Sequence, residues 1–394
     1  MDQKILKAGF AGSGFAARFH YDALQHVFSA KVEVAGVYSV ARDEAKAFAA
    51  ERGNMTVFDS LDLLVEAADV VHVCVPPAFH EQIVLAALAK DKNVIVEKPF
   101  TGYFGDGSDD FNGETFPREE GLKKSIESIQ RMLDAEKKSK GRIMYAENWV
   151  YAPPVQKERE IIEKTKGQIL WMNGEQSHSG SHSLAYGQWK FSGGGSLIGK
   201  GCHPLTAVLY LKQTEGRART GKPIRPKTVS ARVHAITRMP SFENLGQIKT
   251  HYKDTEDFAT VHVVFEDGTI ADVVANELSL GGTNNWIKVY ANNHRTNCNM
   301  SHNNTMESYT PDPKHFEDVY VVEKTETKAG WSQIAPDEGW FLGYQHELDA
   351  FYKAAATGGP IESDSSLAAD TMVVIYTAYM SAERNGIELP VETL

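Results

Sequence analysis

A glycine-rich turn near the start of the chain constrains its fold more than any other feature. The apolar run Ile5–Phe10 leads into Ala11-Gly12-Ser13-Gly14-Phe15-Ala16-Ala17, a G-x-G-x-x-A pattern, and a second β-branched run, Lys31–Tyr38, follows. In such strand–turn–helix units the first glycine permits a tight turn and the second lets the backbone approach a pyrophosphate. The final small residue lets the helix pack closely on the sheet. The pattern predicts a dinucleotide held by Gly12, Ser13, Gly14, Phe15 and Ala16.

The end of the second predicted strand bears on which nicotinamide dinucleotide binds. A site specific for NAD usually has Asp or Glu here, which accepts a hydrogen bond from the 2′-hydroxyl of the ribose. This chain instead has Tyr38-Ser39-Val40-Ala41-Arg42. Ser39 and Arg42 suit a 2′-phosphate, so the sequence slightly favours NADP, although Arg42 is equally compatible with a solvated residue at a helix start.

A second apolar run, Asn93–Val96, ends in Glu97-Lys98-Pro99. Open α/β sheets bind ligands at the carboxyl ends of their strands. The pattern therefore places Lys98, and Glu97 before it, beside the reactive ring of the dinucleotide, which indicates a redox site. A salt bridge from Lys98 to Glu97 is the purely structural alternative.

The order of the predicted elements indicates two domains in the 394 residues. Strands and helices alternate as far as residue 147, which predicts a doubly wound parallel sheet. Later runs, among them Val229–Ile236, Phe258–Phe265 and Thr269–Leu280, read as strands of an antiparallel sheet. We therefore expect an α/β plus α+β chain: a Rossmann domain over residues 1–147 and a domain with an open-faced, mainly antiparallel sheet over residues 148–394.

A glycine- and aspartate-rich insertion at residues 101–121 interrupts the first domain just after Lys98. Its residues Asp106, Ser108, Asp110 and Asn112 superficially resemble a calcium loop, but Phe111 stands where the sharp turn needs glycine. We expect this insertion to form a lid or a contact between subunits, because long loops beside sites are usually functional.

The charge and composition of the chain exclude several classes of protein. A formal net charge of −11 argues against a nucleic-acid partner, because phosphate binding needs clustered basic residues. No apolar run has the length of a membrane span, and the first residues have no signal-peptide pattern. The cysteines at 74, 202 and 298 have no regular spacing, which is typical of reduced thiols. We expect a cytoplasmic protein without a membrane partner.

Several motifs together resemble the Gfo/Idh/MocA oxidoreductases, which include glucose–fructose oxidoreductase, inositol dehydrogenase and their relatives. They are the N-terminal fingerprint, Val75-Pro76-Pro77-Ala78-Phe79-His80, Glu97-Lys98-Pro99, Trp189-Lys190 with Gly193-Gly194-Gly195-Ser196-Leu197, and Gly201-Cys202-His203. The resemblance covers nearly the whole chain. It implies nicotinamide chemistry on a sugar, a polyol or a related alcohol, and a homodimer or homotetramer packed through the antiparallel sheet.

The resemblance also assigns roles to single residues. Lys98 matches the catalytic lysine and His203 the catalytic histidine, and a core histidine before Pro204 is the alternative for the latter. An imidazole suits the removal of a hydroxyl proton, and an ammonium stabilises developing alkoxide charge. Cofactor contacts are expected from Val75, Pro76, His80, Trp189 and Lys190; His80 is equally compatible with a simple helix-terminal residue.

The chain departs from the family pattern beside that histidine. Family members usually carry Asp four residues before it and a second Asp three residues after it, but this chain has Gly199 and Thr206. The substrate contacts, or the proton relay itself, must therefore differ from those of many relatives.

Polar residues elsewhere are candidates to replace these aspartates. His178 and His182 lie in Glu175-Gln176-Ser177-His178-Ser179-Gly180-Ser181-His182, where they could bind sugar hydroxyls, act as an alternative acid–base pair, or ligate a metal with His203. Glu147, Asn148 and Tyr151, at the end of the last Rossmann strand, suit a sugar as well. We favour hydroxyl binding without a metal; loop polarity and a linker aromatic cluster are the structural alternatives.

Three functional hypotheses follow. The leading one is an NAD(P)-dependent dehydrogenase or reductase acting on a CH–OH group of a sugar, polyol or sugar derivative. The second is a glycoside-cleaving enzyme of the same superfamily, which uses transient oxidation with a tightly bound cofactor. The third is a dinucleotide sensor, against which the presence of both Lys98 and His203 counts.

Overall fold

The computed structural model describes residues 5–301 and 305–394. Its N-terminal part is a five-stranded sheet of order β2-β1-β3-β4-β5, in which every neighbouring pair is parallel. The strands are β1 (Ile5–Ala11), β2 (Lys31–Tyr38), β3 (Val70–Val73), β4 (Asn93–Glu97) and β5 (Ile143–Ala146). The helices are α1 (Phe15–Leu24), α2 (Arg42–Glu51), α3 (Leu61–Ala67), α4 (His80–Leu88) and α5 (Arg118–Lys138). The predicted Rossmann sheet is confirmed.

A seven-stranded sheet follows, of order β11-β10-β6-β9-β8-β7-β14. Only β6 and β9 pair in parallel there among the described residues, so the expectation of a mainly antiparallel sheet is confirmed. Its strands are β6 (Ile169–Ser177), β7 (Pro226–His234), β8 (Phe258–Phe265), β9 (Ile270–Asn276), β10 (Asn284–Ala291), β11 (Arg295–Asn299) and β14 (Leu389–Pro390). A separate hairpin pairs β12 (Glu307–Thr310) with β13 (Gly330–Gln333).

Short and long helices surround this second sheet. They are α6 (Asn148–Tyr151), α7 (Pro153–Thr165), α8 (Trp189–Ser192), α9 (Ser196–Gly199), α10 (Cys202–Thr220), α11 (Glu338–Phe341), α12 (Tyr344–Thr357) and α13 (Ser365–Glu383). Among the described residues, no helix combines the length and apolar character needed to cross a membrane.

One face of the second sheet is buried and the other is half exposed. Along β8 buried and partly exposed residues alternate, as they do along β9 and β10, because successive side chains point to opposite faces. The buried face packs on α10, which is itself buried from Cys202 to Gly216 because it lies between β6, α7 and α13. His203, the candidate catalytic residue at the start of α10, is therefore carried by a helix that is packed on several sides.

The C-terminal helices pack on both parts of the chain. Helix α12 contacts α1 and α6, while α13 contacts α5 on one side and β7 on the other. A hydrogen bond of 2.7 Å joins Tyr352 of α12 to His72 of β3. A division of the chain near residue 147 therefore separates the two sheets, but helices from the second part complete the packing of the first.

The insertion at residues 101–121 does not cover the cleft described below. Its side chains Tyr103, Phe111 and Phe116 form an aromatic cluster that meets Trp189. The indole of Trp189 donates to the carbonyl of Tyr103 at 2.9 Å. The aromatic residues of the insertion thus hold it against Trp189, away from the lining of the cleft, and its role as a lid or as a contact between subunits stays a prediction.

Candidate active site

One cleft of about 570 Å³ connects the carboxyl edge of the Rossmann sheet with the second sheet. Its size falls in the usual range of small-molecule sites. Predicted site residues that line it are Gly14, Phe15, Ala16, Val75, Pro76, Glu97, Lys98, Asn148, His178, His182 and His203. The fold thus brings the glycine turn, the lysine and the histidine to a single cavity.

The glycine turn has the form that a pyrophosphate needs. Gly12 has φ = +108°, and a Cβ there would lie 2.2 Å from the carbonyl oxygen of Cys74, so only glycine fits. A Cβ on Gly14 would meet no described atom within 4 Å. Among the described residues, no side chain caps the start of α1, and the buried hydroxyl of Ser13 has no hydrogen-bond partner. These free donors at a helix N-terminus fit the phosphates of a dinucleotide.

Ser39 and Arg42, at the end of β2, lie outside the lining of the cleft and have partners of their own. The Ser39 hydroxyl accepts a hydrogen bond from the Ala41 amide at 3.2 Å. The Arg42 guanidinium donates to Asp59 at 2.6 Å and to the Phe58 carbonyl at 3.1 Å. The ion pair is exposed, and such pairs contribute at most about 1 kcal/mol to stability, so Arg42 is available to another anion.

His80 ties two strand ends together and does not face the cleft. Its ring is fully buried, with Nδ1 3.0 Å from the carbonyl oxygen of Pro99 and Nε2 3.0 Å from that of Val75. Burial lowers the pKa of His80, although the hydrogen bonds to these backbone carbonyls act to raise it. Of its two expected roles, the cofactor contact is not supported; the side chain fixes the segment after Lys98 against the loop that carries Val75 and Pro76.

Lys98 directs its ammonium across the cleft. Nζ donates to the Gly199 carbonyl at 3.0 Å and lies 6.0 Å from the centre of the Tyr186 ring. Burial alone would lower the pKa of Lys98, but Tyr186, Cys202 and the neighbouring carboxylates hold it above its ordinary value. Lys98 is therefore a permanent cation, and its ammonium bonds to Gly199 rather than to Glu97, against the structural alternative.

Glu97 is held by a chain of buried side chains behind the cleft. His20 Nε2 lies 2.9 Å from the Glu97 carboxylate, and His20 Nδ1 lies 2.9 Å from Nδ1 of His72. Although burial opposes it, Cys74 and Glu97 raise the pKa of His20 well above its usual value, whereas burial lowers that of His72. His20 is thus protonated and donates both ways, which keeps Glu97 ionised.

His203 pairs with Glu147 rather than with a residue of its own loop. Its Nδ1 lies 2.5 Å from Glu147 Oε1, and both side chains are buried. Burial raises the pKa of Glu147 to about 8, against the opposing effect of Lys98. Burial and the cations Lys98 and Lys200 lower the pKa of His203. Trp149 stacks on the imidazole with ring centres 5.8 Å apart. Nε2 is left for a substrate.

Tyr186 explains how the chain dispenses with the family aspartate at position 199. A Cβ on Gly199 would already lie 3.3 Å from the Tyr186 ring, so a longer side chain would collide with it. The same ring lies 5.2 Å from Nζ of Lys200 and close to Lys98. The space at position 199, where the resemblance would place an aspartate, is thus taken by an aromatic face, and the carboxylate beside His203 is that of Glu147. Thr206, at the second aspartate position, is buried and donates to the carbonyl of Cys202.

A second set of polar residues lies around His178, at the far side of the cleft. Its Nδ1 accepts from the Gly180 amide at 2.9 Å, which leaves the ring proton on Nε2 as a donor. Burial and three lysines, Lys200, Lys324 and Lys98, lower the pKa of His178, so the ring is neutral. His182 is exposed and also lines the cleft. Both suit the oxygen atoms of a sugar.

Three other predicted contacts lie elsewhere. The Tyr151 hydroxyl accepts from the Ser363 amide at 3.1 Å, and its ring packs on Phe351. Trp189 is buried in the aromatic cluster, and Lys190 is exposed outside the cleft. Glu147 is fully buried beside His203, is hydrogen-bonded to that imidazole and is not part of the lining of the cleft.

The structure groups potential metal ligands differently from the hypothesis of a site at His178, His182 and His203. One donor atom each from Glu147, Cys202 and His203 lies within 4.8 Å of the others. The Nδ1 of His203 is already bonded to Glu147, so this grouping is first of all a hydrogen-bonded pair with a thiol beside it.

Sequence reasoning missed several residues that line the cleft, namely Tyr186, Lys200, Asn285, Glu323 and Lys324. Lys200 follows Gly199 in the sequence and could have been proposed on that ground. Lys324 precedes β13 in a stretch without a motif, and only the fold brings it to the site.

Two family models match the chain. Residues 6–109 match the oxidoreductase family with an NAD-binding Rossmann fold, and residues 155–295 match the Gfo/Idh/MocA C-terminal domain. A curated relative, glucose-6-phosphate 3-dehydrogenase of Bacillus subtilis strain 168, is 36% identical over 93 residues. That match spans 24% of this chain and 26% of the relative, about a quarter of each.

Solved structures show the same fold over the whole chain. The protein GenD2 from gentamicin A biosynthesis, in complex with NAD, superposes with a TM-score of 0.78 at 20% identity and covers 99% of this chain and 97% of its own. Myo-inositol dehydrogenase from Lactobacillus casei, in complex with NAD(H) and myo-inositol, gives a TM-score of 0.68 at 15% identity and coverages of 99% and 98%. The matches to both family models, with the shared fold, show that the chain belongs to the Gfo/Idh/MocA oxidoreductase family.

Proposed function

We propose that this protein is an NAD(P)-dependent oxidoreductase that transfers a hydride between the nicotinamide and a hydroxyl or carbonyl carbon of a sugar, polyol or sugar derivative. The observation that carries the proposal is the meeting of Lys98 and His203 in the cleft that also holds Gly14. A sensor would need the glycine turn but has no use for a proton-transfer pair.

The chemistry divides between two side chains. When bound, the nicotinamide supplies a site that accepts or returns a hydride. His203 Nε2 takes the proton of the substrate hydroxyl during oxidation and gives it back during reduction, because Glu147 holds the ring by Nδ1. The Lys98 ammonium lies beside the same oxygen and stabilises the negative charge that develops on it. Asn148 and His178 offer donors to further hydroxyls.

We propose that NADP(H) is used at least as well as NAD(H). The end of β2 carries no carboxylate that would repel a 2′-phosphate. Arg42 can exchange its exposed partner Asp59 for that phosphate, and the Ser39 hydroxyl lies nearby in the chain.

The substrate class is supported by the neutral donors of the cleft and by two similar proteins, a glucose-6-phosphate 3-dehydrogenase and a myo-inositol dehydrogenase. We also propose that the half-exposed face of the second sheet forms the interface of a homodimer or homotetramer. Light scattering of the purified chain tests this separately from activity.

The central test follows the absorbance of the reduced nicotinamide with NAD or NADP and a panel of sugars and polyols. Lys98→Ala and His203→Ala should each lose about a hundredfold or more in kcat while retaining cofactor binding, measured by fluorescence. Wild-type rates in both variants would overturn the assignment. Product formed without net cofactor reduction would instead indicate the glycoside-cleaving reaction.

A further inference from the structure

We propose that Lys324, which lines the cleft with His182, binds an anionic group of the substrate, so that the preferred sugar or polyol carries a phosphate or a carboxylate. The inference rests on the proposed function, because it names the class of substrate for the same cleft. It comes from cations that the reaction at Lys98 and His203 does not use.

Lys324 is a cation without a matching anion. It lines the cleft, and its ammonium donates to the carbonyl of Gly180 at 2.9 Å. Within the described residues, no carboxylate reaches ion-pair distance of its Nζ. Lys212, a fully buried lysine in α10, shows the opposite arrangement, with Glu215 at 2.6 Å and Asp267 at 2.9 Å. Lys328, partly buried like Lys324, donates instead to two backbone carbonyls, those of Phe316 and Glu317. Lys324 donates to one, that of Gly180, and keeps further N–H donors for a ligand in the cleft.

Lysines collect on this wall of the cleft: besides burial, Lys200, Lys324 and Lys98 lower the pKa of the neighbouring His178. At Lys324 itself the charges are mixed. Burial and the lysines Lys200 and Lys249 lower its pKa to about 8, although Glu323 and Glu277 oppose them. Oε1 of Glu277 accepts from the Ser181 hydroxyl at 3.0 Å and lies 3.6 Å from Lys200, while Oε2 lies 3.3 Å from Nδ1 of His178. A bound anion would remove this repulsion, and charge-assisted hydrogen bonds are among the strongest available.

The backbone at Lys324 supports the same conclusion. Its φ is +64°, in the left-handed region that residues other than glycine rarely occupy. Such strained positions are concentrated at ligand-binding sites. The conformation places the side chain in the cleft while its neighbour Glu323 also lines the wall.

The cluster lies on the side of the cleft away from the Rossmann edge that carries Lys98. The centre of the Tyr186 ring lies 6.0 Å from the ammonium group of Lys98 and 5.2 Å from that of Lys200. Lys200 in turn donates to Ser181, one residue from the carbonyl that binds Lys324. An anion at Lys324 would leave the other end of a sugar beside Lys98 and His203. This arrangement separates recognition of the charge from the reacting carbon.

The test compares a neutral hexose, its 6-phosphate and its uronic acid with wild-type protein and Lys324→Gln. Wild type should prefer at least one of the anionic substrates, and Lys324→Gln should lose about ten- to a hundredfold in kcat/KM for it, with little change for the neutral sugar. The phosphate and carboxylate arms tell which group is recognised. Lys222→Gln, at an exposed lysine outside the cleft, is the charge-matched control.

A binding measurement covers the case in which none of these sugars is oxidised. Inorganic phosphate, compared with chloride at equal ionic strength, should raise the melting temperature of wild type with bound NADH more than that of Lys324→Gln. Equal loss for charged and neutral sugars, or equal stabilisation of both proteins by phosphate, would overturn the inference. Neither of these two results bears on the proposed function, which would be contradicted instead if NADH did not bind or if Lys98→Ala stayed active.

Discussion

Nδ1 of His203 lies 2.5 Å from Oε1 of Glu147, and this contact joins the end of β5 to the start of α10. Because the pKa of Glu147 is raised by burial and that of His203 is lowered, the two groups share their protons. With Glu147 protonated, its hydroxyl donates to Nδ1 and the imidazole carries its proton on Nε2. With Glu147 ionised, Nδ1–H donates to the carboxylate and Nε2 becomes a base.

This pair predicts opposite pH profiles for the two directions of reaction. Deprotonation of Glu147, with a pKa of about 8, turns Nε2 of His203 into the acceptor that oxidation of an alcohol requires. The rate of oxidation should therefore rise with pH through about 8, and the rate of carbonyl reduction should fall over the same interval. Profiles of kcat in both directions, with saturating cofactor, check this prediction.

Glu147→Gln should remove that titration and lower kcat by about a hundredfold or more, because a glutamine amide does not titrate and cannot exchange a proton with the imidazole of His203. Glu158→Gln is a matched control, since Glu158 is a buried carboxylate paired with His294 at 2.8 Å outside the cleft. An unchanged profile in Glu147→Gln would refute the role given to the pair.

Much of the fold could be predicted because its signals are local. The observed bounds of β2, β4 and β8 match the predicted runs, since each is a nearly continuous series of β-branched or apolar residues. The short helix α3 was not predicted, although Ser60 caps it by accepting from the Leu63 amide. Strand β3 ends at Val73, shortly before Pro77 starts a helical turn.

Substitution of the two glycines in the nucleotide turn should have different effects, one on stability and the other on cofactor binding. Gly12→Ala meets the Cys74 carbonyl and an unfavourable φ, so it should destabilise the fold by more than about 1 kcal/mol. Gly14 has φ = −81° and open space around its missing Cβ, so Gly14→Ala should fold normally. Its methyl group would nevertheless occupy the space that a pyrophosphate approaches, and NADH affinity should fall about tenfold or more.

Melting curves and NADH titrations of both variants separate these effects. Gly107→Ala is a useful control, because its φ of +85° is strained in the same sense as that of Gly12 but its Cβ would meet no described atom within 4 Å. A Gly14→Ala protein that binds NADH as wild type does would contradict the placement of the pyrophosphate.

Arg42→Ala should raise KM for NADP by about tenfold and leave KM for NAD nearly unchanged, because only a 2′-phosphate would pair with the guanidinium. Asp59→Asn makes the opposite change: it releases Arg42 from its carboxylate partner and should lower KM for NADP. Initial rates with both cofactors measure the ratio. If Arg42→Ala changed both KM values equally, the residue would not select the cofactor.

The composition of the site was only partly accessible from sequence. Lys98 and His203 stand in recognisable motifs, but the partner of His203 is 56 residues away and stood among the predicted substrate contacts. The pairing follows from the position of β5 beside β4, which no spacing reveals. Lys324 is further still from any motif, and its environment depends on how the loop before β13 meets Gly180.

Tyr352→Phe should weaken the attachment of the C-terminal helices to the Rossmann sheet. His72 accepts from protonated His20 through Nδ1, so its Nε2–H donates to the Tyr352 hydroxyl at 2.7 Å, and both side chains are fully buried. The variant keeps the stacked ring but leaves this donor unsatisfied, at a cost of about 1–3 kcal/mol in the free energy of unfolding. Urea unfolding measures the change.

Tyr309→Phe, on an exposed ring, is the control and should stay within about 0.5 kcal/mol of wild type in the free energy of unfolding. Equal effects in both variants would show that the His20–His72–Tyr352 chain does not join the two parts of the molecule.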